Sequence, residues 1–148
     1  MATDATATIA RGSGSWTPAR IFMVISAAYH LPLAIVGLAI DRTFPVGASA
    51  AAQAPSEFAF GLFETNGWHS LAALILGFAS VYFAVRPDGA RAAALSIGIG
   101  HVLIVVAFAL QPPSTFWFAS NGADQIVHVF TAIGGIASAM LTRRRRLR

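Results

Sequence analysis

Four stretches of the chain, 19–40, 67–85, 90–110 and 125–142, are apolar almost without interruption. Each is close to the roughly 20 residues that an α-helix needs to cross about 30 Å of hydrocarbon, the last being the shortest. Soluble bundles of such helices carry polar outer faces, and these stretches supply none. The chain is therefore read as all-α, a four-helix transmembrane bundle filling one domain at 18–142. A tail at 1–17 precedes it and a basic tail at 143–148 follows. A hydrophobic fraction of 56% against 11% charged residues fits a protein whose solvent is the bilayer.

Charge placement orients the bundle. All the basic side chains are arginines. Arg11 precedes the first span and Arg20 stands at its start, Arg86 and Arg91 flank the turn between the second and third, and Arg143 to Arg146 follow the fourth; Arg42 stands apart. The positive-inside rule then places both termini and the short turn in the cytoplasm and the two longer loops outside, in a bacterial plasma membrane. A basic C-terminal run could serve nucleic acid, but directly after a span it anchors topology against anionic lipid, so the expected partner is the bilayer and no nucleic acid. The absence of cysteine removes disulfides, thiolate metal sites and iron-sulfur clusters.

Along the chain, residues 1–15 have no apolar face to bury and read as a disordered tail. Thr17 and Pro18 read as a cap and first helical residue. An Ala-x-Ala triplet at Ala48 to Ala50 resembles a signal-cleavage site, but the first apolar core is too long for a signal peptide. Pro32 is expected to bend the first helix and to free the carbonyl of Ala28 near His30. The outer loop 41–66, with Pro45 and Pro55 and then Phe58, Phe60, Phe63 and Trp68 at the headgroup boundary, has room for a short interfacial helix. Arg86-Pro87-Asp88-Gly89 is a tight turn that makes the second and third helices antiparallel neighbours. The second outer loop repeats prolines followed by aromatics, here Pro112, Pro113, Phe116, Trp117 and Phe118.

That repetition suggests two tandem helix hairpins. Laid on each other, the halves match His30 with His101 and Phe63-x-x-Asn66-Gly67 with Phe118-x-x-Asn121-Gly122. Two such copies would be related by a pseudo-twofold axis along the membrane normal.

The chain has four histidines, His30, His69, His101 and His128, one in each span. Helical spacing puts each ring on a stripe of small residues, such as Gly98 beside His101 and Gly135 beside His128, so all four are expected to point into the bundle. His69 and His128 should lie near the outer boundary and His30 and His101 about 10 Å deeper, in two layers of two. Asp124, at the N-cap position of the fourth span, is one turn from His128 and spaced to orient its imidazole.

Three roles stay open. The leading one is structural: the rings glue helices together in an accessory subunit of a larger membrane complex or a homo-oligomer. In the second, His30 and His101 ligate haem b as an axial pair, or His69 and His128 hold a divalent metal. In the third, His69, His128, Asp124 and Glu64 form an outward proton or ion relay. A bound quinone or a protein partner completes the range. Hydrolytic chemistry has no supporting motif, and the expected role is non-enzymatic.

The phrases Phe60-Gly61-Leu62-Phe63-Glu64-Thr65-Asn66-Gly67-Trp68-His69 and Asn121-Gly122-Ala123-Asp124-Gln125-Ile126-Val127-His128 lead into the second and fourth spans. They resemble a family of small actinobacterial membrane proteins classed as a domain of unknown function, over roughly 20–142. Its most specific phrase, Asn-x-x-Asp-Asn-x-x-His, is matched here with Gln125 in place of the second Asn. That family often carries a second histidine where this chain has Ala73, so a two-histidine metal clip on that helix is not expected. The resemblance implies fold and location and no mechanism.

Overall fold

The computed structural model describes residues 16–46, 57–86, 88–110 and 119–142. The expectations for the N-terminal tail, the triplet at Ala48 to Ala50, the prolines and aromatics at 112–118 and the C-terminal arginines lie outside these residues. Four helices dominate: α1 Pro18–Ile40, α2 Gly67–Val85, α3 Ala90–Leu110 and α4 Gly122–Leu141. All four are long and apolar enough to cross a membrane.

Capping fixes where each span starts. Thr17 Oγ1 accepts the Arg20 N–H at 3.3 Å, and Pro18 occupies the first turn, where a missing N–H costs nothing. Pro32 does not end α1, which runs on to Ile40. α4 opens three residues before the position read from sequence: Asn121 is its N-cap and Asp124 its third residue. Asn121 Oδ1 accepts the Asp124 N–H at 3.0 Å while Asp124 Oδ2 accepts the Asn121 N–H at 2.9 Å. This reciprocal box satisfies two orphan donors where a lone Asp124 cap would satisfy one, which is why the earlier start wins.

The helices bury small residues and expose large ones. Ile25, Ile35, Phe78, Leu103 and Phe130 face outward, whereas Ala34, Ala73, Ala94 and Ala132 are buried with Gly37, Gly77, Gly98 and Gly135. Lipid offers no hydrophobic drive between helices, so close backbone approach and interhelical hydrogen bonds must hold them. α3 and α4 approach main chain to main chain. A Cβ built on Gly98 would lie 2.8 Å from Ile136 N, and one on Gly135 2.7 Å from Ala94 O. Between α1 and α2, Ser26 and Ser80 hydroxyls meet at 2.9 Å, and the Arg20 guanidinium donates from Nε to Ala84 O at 2.9 Å. Thr142 Oγ1 accepts the Ala19 N–H at 2.9 Å, joining the start of α1 to the end of α4.

Neighbours therefore pair as α1 with α2 and α3 with α4, with α1 also touching α3 and α4. The expectation that the 86–89 turn makes α2 and α3 close neighbours is corrected: they share little contact beyond it. A four-residue turn fixes where two helices meet, but small residues on other faces decide where they pack.

Between 57 and 65 the loop before α2 forms a β-hairpin; the stretch 47–56, where the loop has room for a short interfacial helix, lies outside the described residues. β1 Glu57–Ala59 pairs antiparallel with β2 Phe63–Thr65, register Ala59 to Phe63. Phe60 (φ 55°) and Gly61 (φ 69°) turn it through the left-handed region. Fully buried Ala59 packs it on Leu33, Ala34 and Ala73, across the end of the bundle opposite the chain termini.

Candidate functional site

Below the hairpin the four imidazoles converge, each from its own helix. Ring centroids lie 6.4 Å apart from His69 to His128, 5.2 Å from His128 to His101 and 5.8 Å from His101 to His30. The arrangement is one descending chain and not two layers. His128 lies six residues inside α4 and His69 only two inside α2, a difference of about 6 Å along the helix axis. Starting α4 at Gly122 instead of Gln125 is what moves His128 deeper.

Three rings are held by carbonyls. The Nδ1 of His30 donates to Ser26 O at 2.8 Å, that of His101 to Ile97 O at 2.8 Å, and that of His69 to Glu64 O at 2.9 Å. A carbonyl only accepts, so Nδ1 carries the hydrogen, and an uncharged ring then presents a lone pair at Nε2. His30 uses the carbonyl one turn back, not the one expected to be freed at Ala28. Among the described residues no Nε2 of the four forms a hydrogen bond, and none is sealed from accessible space. The space they meet is a cavity of about 250 Å³. Its other walls are mostly apolar, Leu33, Ala73 and Leu76 on one side and Ile104, Ala107 and Phe108 on the other, with the hydroxyl-bearing Tyr29 and Ser120 also in the lining. It occupies the gap left where α2 and α3 diverge.

The remaining site candidates behave differently. Asp124 does not bond His128. Its Oδ2 accepts from the Asn121 N–H and, at 3.2 Å, from the Glu64 N–H, while Oδ1 is buried with no partner. Asp124 therefore latches the hairpin to α4 and leaves His128 unoriented. Glu64 acts through its main chain, donating to Asp124 and accepting from His69. Asn121 Nδ2 completes the latch on Leu62 O at 2.8 Å. Among the described residues no three His, Cys, Asp or Glu side chains converge as ligands of one metal ion.

A family model for a domain of unknown function, DUF4383, matches residues 20–141. The chain belongs to this family. Neither a curated protein nor a solved structure matches it. The matched residues take in the hairpin, all four histidines and the Asn121–Asp124 box, so the site lies wholly within the DUF4383 domain.

In this DUF4383 chain the residue missed by sequence reading is Tyr29. It lines the cavity, its ring edge-on to His30 at 5.0 Å and to Phe63 at 5.9 Å. A polar aromatic directly before an intramembrane histidine was the available signal. His128 is the unsatisfied member, its buried Nδ1 lacking any partner. An unpaired buried polar atom costs about 1–3 kcal/mol, so His128→Phe in the DUF4383 protein should raise stability by about 1 kcal/mol. Thermal unfolding in detergent reads this directly, and a lowered midpoint would show that Nδ1 is satisfied.

Proposed function

We propose that this protein is a small multi-pass membrane protein that binds a lipophilic molecule in the histidine-lined cavity. The observation that carries the reading is the hydrogen-bonding of the rings. Histidines acting as glue would bond across helix interfaces. Here His30 and His101 bond their own helices, His69 bonds β2, and the Nε2 atoms remain open at one cavity. That weighs against a purely structural or accessory-subunit role. A relay has a short continuation, from His30 Nδ1 to Ser26 Oγ at 3.2 Å and on to Ser80 Oγ at 2.9 Å, beyond which Ala19, Met23, Ala84, Ala90, Ala94 and Ile97 pack into an apolar plug. Carrying an ion into that plug would strip its water, at a cost of several kcal/mol.

A second reading is axial ligation of haem b by His30 and His101, for which the helices would have to part, since about 250 Å³ holds one substituted ring and not a macrocycle. It is favoured by their matching carbonyl bonds, since ligating imidazoles regularly donate the other N–H this way. Two measurements on purified protein separate the readings. Solvent extraction and mass spectrometry should recover a lipophilic species from the wild type that is lost in Ala73→Phe, whose ring fills the cavity; identical extracts would overturn the binding reading. A Soret band lost in His30→Ala and in His101→Ala would establish haem, and a colourless preparation would remove it.

The proposed setting is a bacterial, by its likeness actinobacterial, plasma membrane with both chain ends cytoplasmic. Arginine placement supports it, together with the meeting of Ala19, Ala84, Ala90 and Ala139 at one end of the bundle. With no native cysteine, single-cysteine variants test it cleanly. In intact cells Leu62→Cys should react with an impermeant maleimide and Asp88→Cys should not; the reverse pattern would invert the topology.

A further inference from the structure

We infer that the cavity selects a hydroxylated aromatic ring, a phenol or hydroquinone head group, over the same ring with its hydroxyl blocked. This deepens the binding reading above and rests on it.

The selection follows from what the wall offers. His30, His69 and His101 have committed their Nδ1 hydrogens to carbonyls, so their free ring atoms only accept. At these three rings a guest must therefore bring the hydrogen, whereas Tyr29, Ser120 and His128 elsewhere in the lining can also donate. A ring with its hydroxyl blocked brings none, and wherever its oxygen faced one of these rings it would set lone pairs against those of Nε2. Among the described residues no arginine, aspartate or glutamate lines the cavity, so none of them compensates a charged guest, and a neutral one is favoured. The imidazoles themselves are 3–8% exposed for His30, His69 and His101, so a bonded hydroxyl would sit shielded from water.

Size and access point the same way. An apolar cavity of about 150 Å³ is enough for benzene in a protein interior. The 250 Å³ here accommodates one substituted ring, with Tyr29 and Phe108 as aromatic walls. The half-buried walls Ala72, Leu76, Ile104 and Ala107 belong to the two helices that diverge, so the ring would enter sideways from the hydrocarbon, its alkyl tail left in the seam. Neither strand of the hairpin needs to move for that route.

The test uses the full chain in lipid nanodiscs, with 4-hexylphenol and its methyl ether 4-hexylanisole as probes and empty nanodiscs as the partition blank. Equilibrium dialysis should show saturable retention of the phenol, near one per protein, and about tenfold or greater weaker retention of the ether, because blocking the donor leaves buried acceptors unpaired. In His101→Leu the phenol should fall towards the level of the ether while the ether is unchanged. Equal binding of the two probes by the wild type, or tighter binding of the ether, overturns the donor selection and leaves the pocket reading standing. If neither probe exceeds the blank and the wild-type and Ala73→Phe extracts are identical, the pocket reading falls with it. The probe comparison on the wild type decides the matter even if a variant fails to fold.

Discussion

Replacing Gly135 with leucine should destabilise the bundle by about 3 kcal/mol or more, at the top of the usual range for overpacking. Its first added carbon would lie 2.7 Å from Ala94 O and 2.8 Å from Gly98 Cα, both main-chain atoms that cannot swing aside. Relief requires α3 and α4 to part along their closest contact. Gly98→Leu should do the same, since its Cβ would meet Ile136 N and Ala132 O. Because both substitutions strain one contact, their effects should fall short of adding, with a coupling of about 1 kcal/mol or more. Gly100→Leu is the control: nothing lies within 4 Å of its Cβ, and it should change stability by less than about 0.5 kcal/mol. Unfolding of the purified variants in mixed micelles measures all four; a Gly135→Leu protein as stable as the wild type would show that α3 and α4 are not held this closely.

Asp124→Ala should rank next, at about 2–4 kcal/mol, because it removes a cap and a long-range latch together. Asp124 is 1% exposed, and its Oδ2 serves both the Asn121 and Glu64 amides. Asp124→Asn keeps one carbonyl-type oxygen and should lose about half as much. Hydrogen exchange supplies a specific signature: the Glu64 amide, which donates to Asp124, should lose protection in Asp124→Ala even where the helices stay intact. Unchanged protection there would mean that the hairpin is held by Ala59 and its neighbours rather than by the latch.

Much of the framework was legible in the residues. Helix length and the absence of polar faces gave the four spans, and the Thr17-Pro18 pair marked the start of α1 because each residue has one clear use at a helix entry. The inward direction of the histidines was readable from the small residues that share their faces. Three things were not readable. The hairpin was hidden because its left-handed turn residue is Phe60, where a side chain of that bulk is unusual, and its aromatics fit the membrane boundary equally well. The start of α4 was misplaced because Asn121 and Asp124 are both strong caps, and only the reciprocal pair of hydrogen bonds decides between them. The seam beside the cavity was invisible because a short turn says nothing about how far two helices diverge beyond it.

That seam has a mechanical consequence. Parting α1 from α2 would break the Ser26–Ser80 and Arg20–Ala84 bonds, and parting α1 from α4 would break the bond of Ala19 to Thr142. No hydrogen bond between described residues of α2 and α3 resists a similar displacement. The molecule is thus built like a book, with α1 and α4 bound along the spine, the α2 and α3 covers meeting at an unfastened fore-edge, and the turn at Asp88 and Gly89 tethering one corner. Whatever the protein receives from the lipid, it need not unfold to receive it.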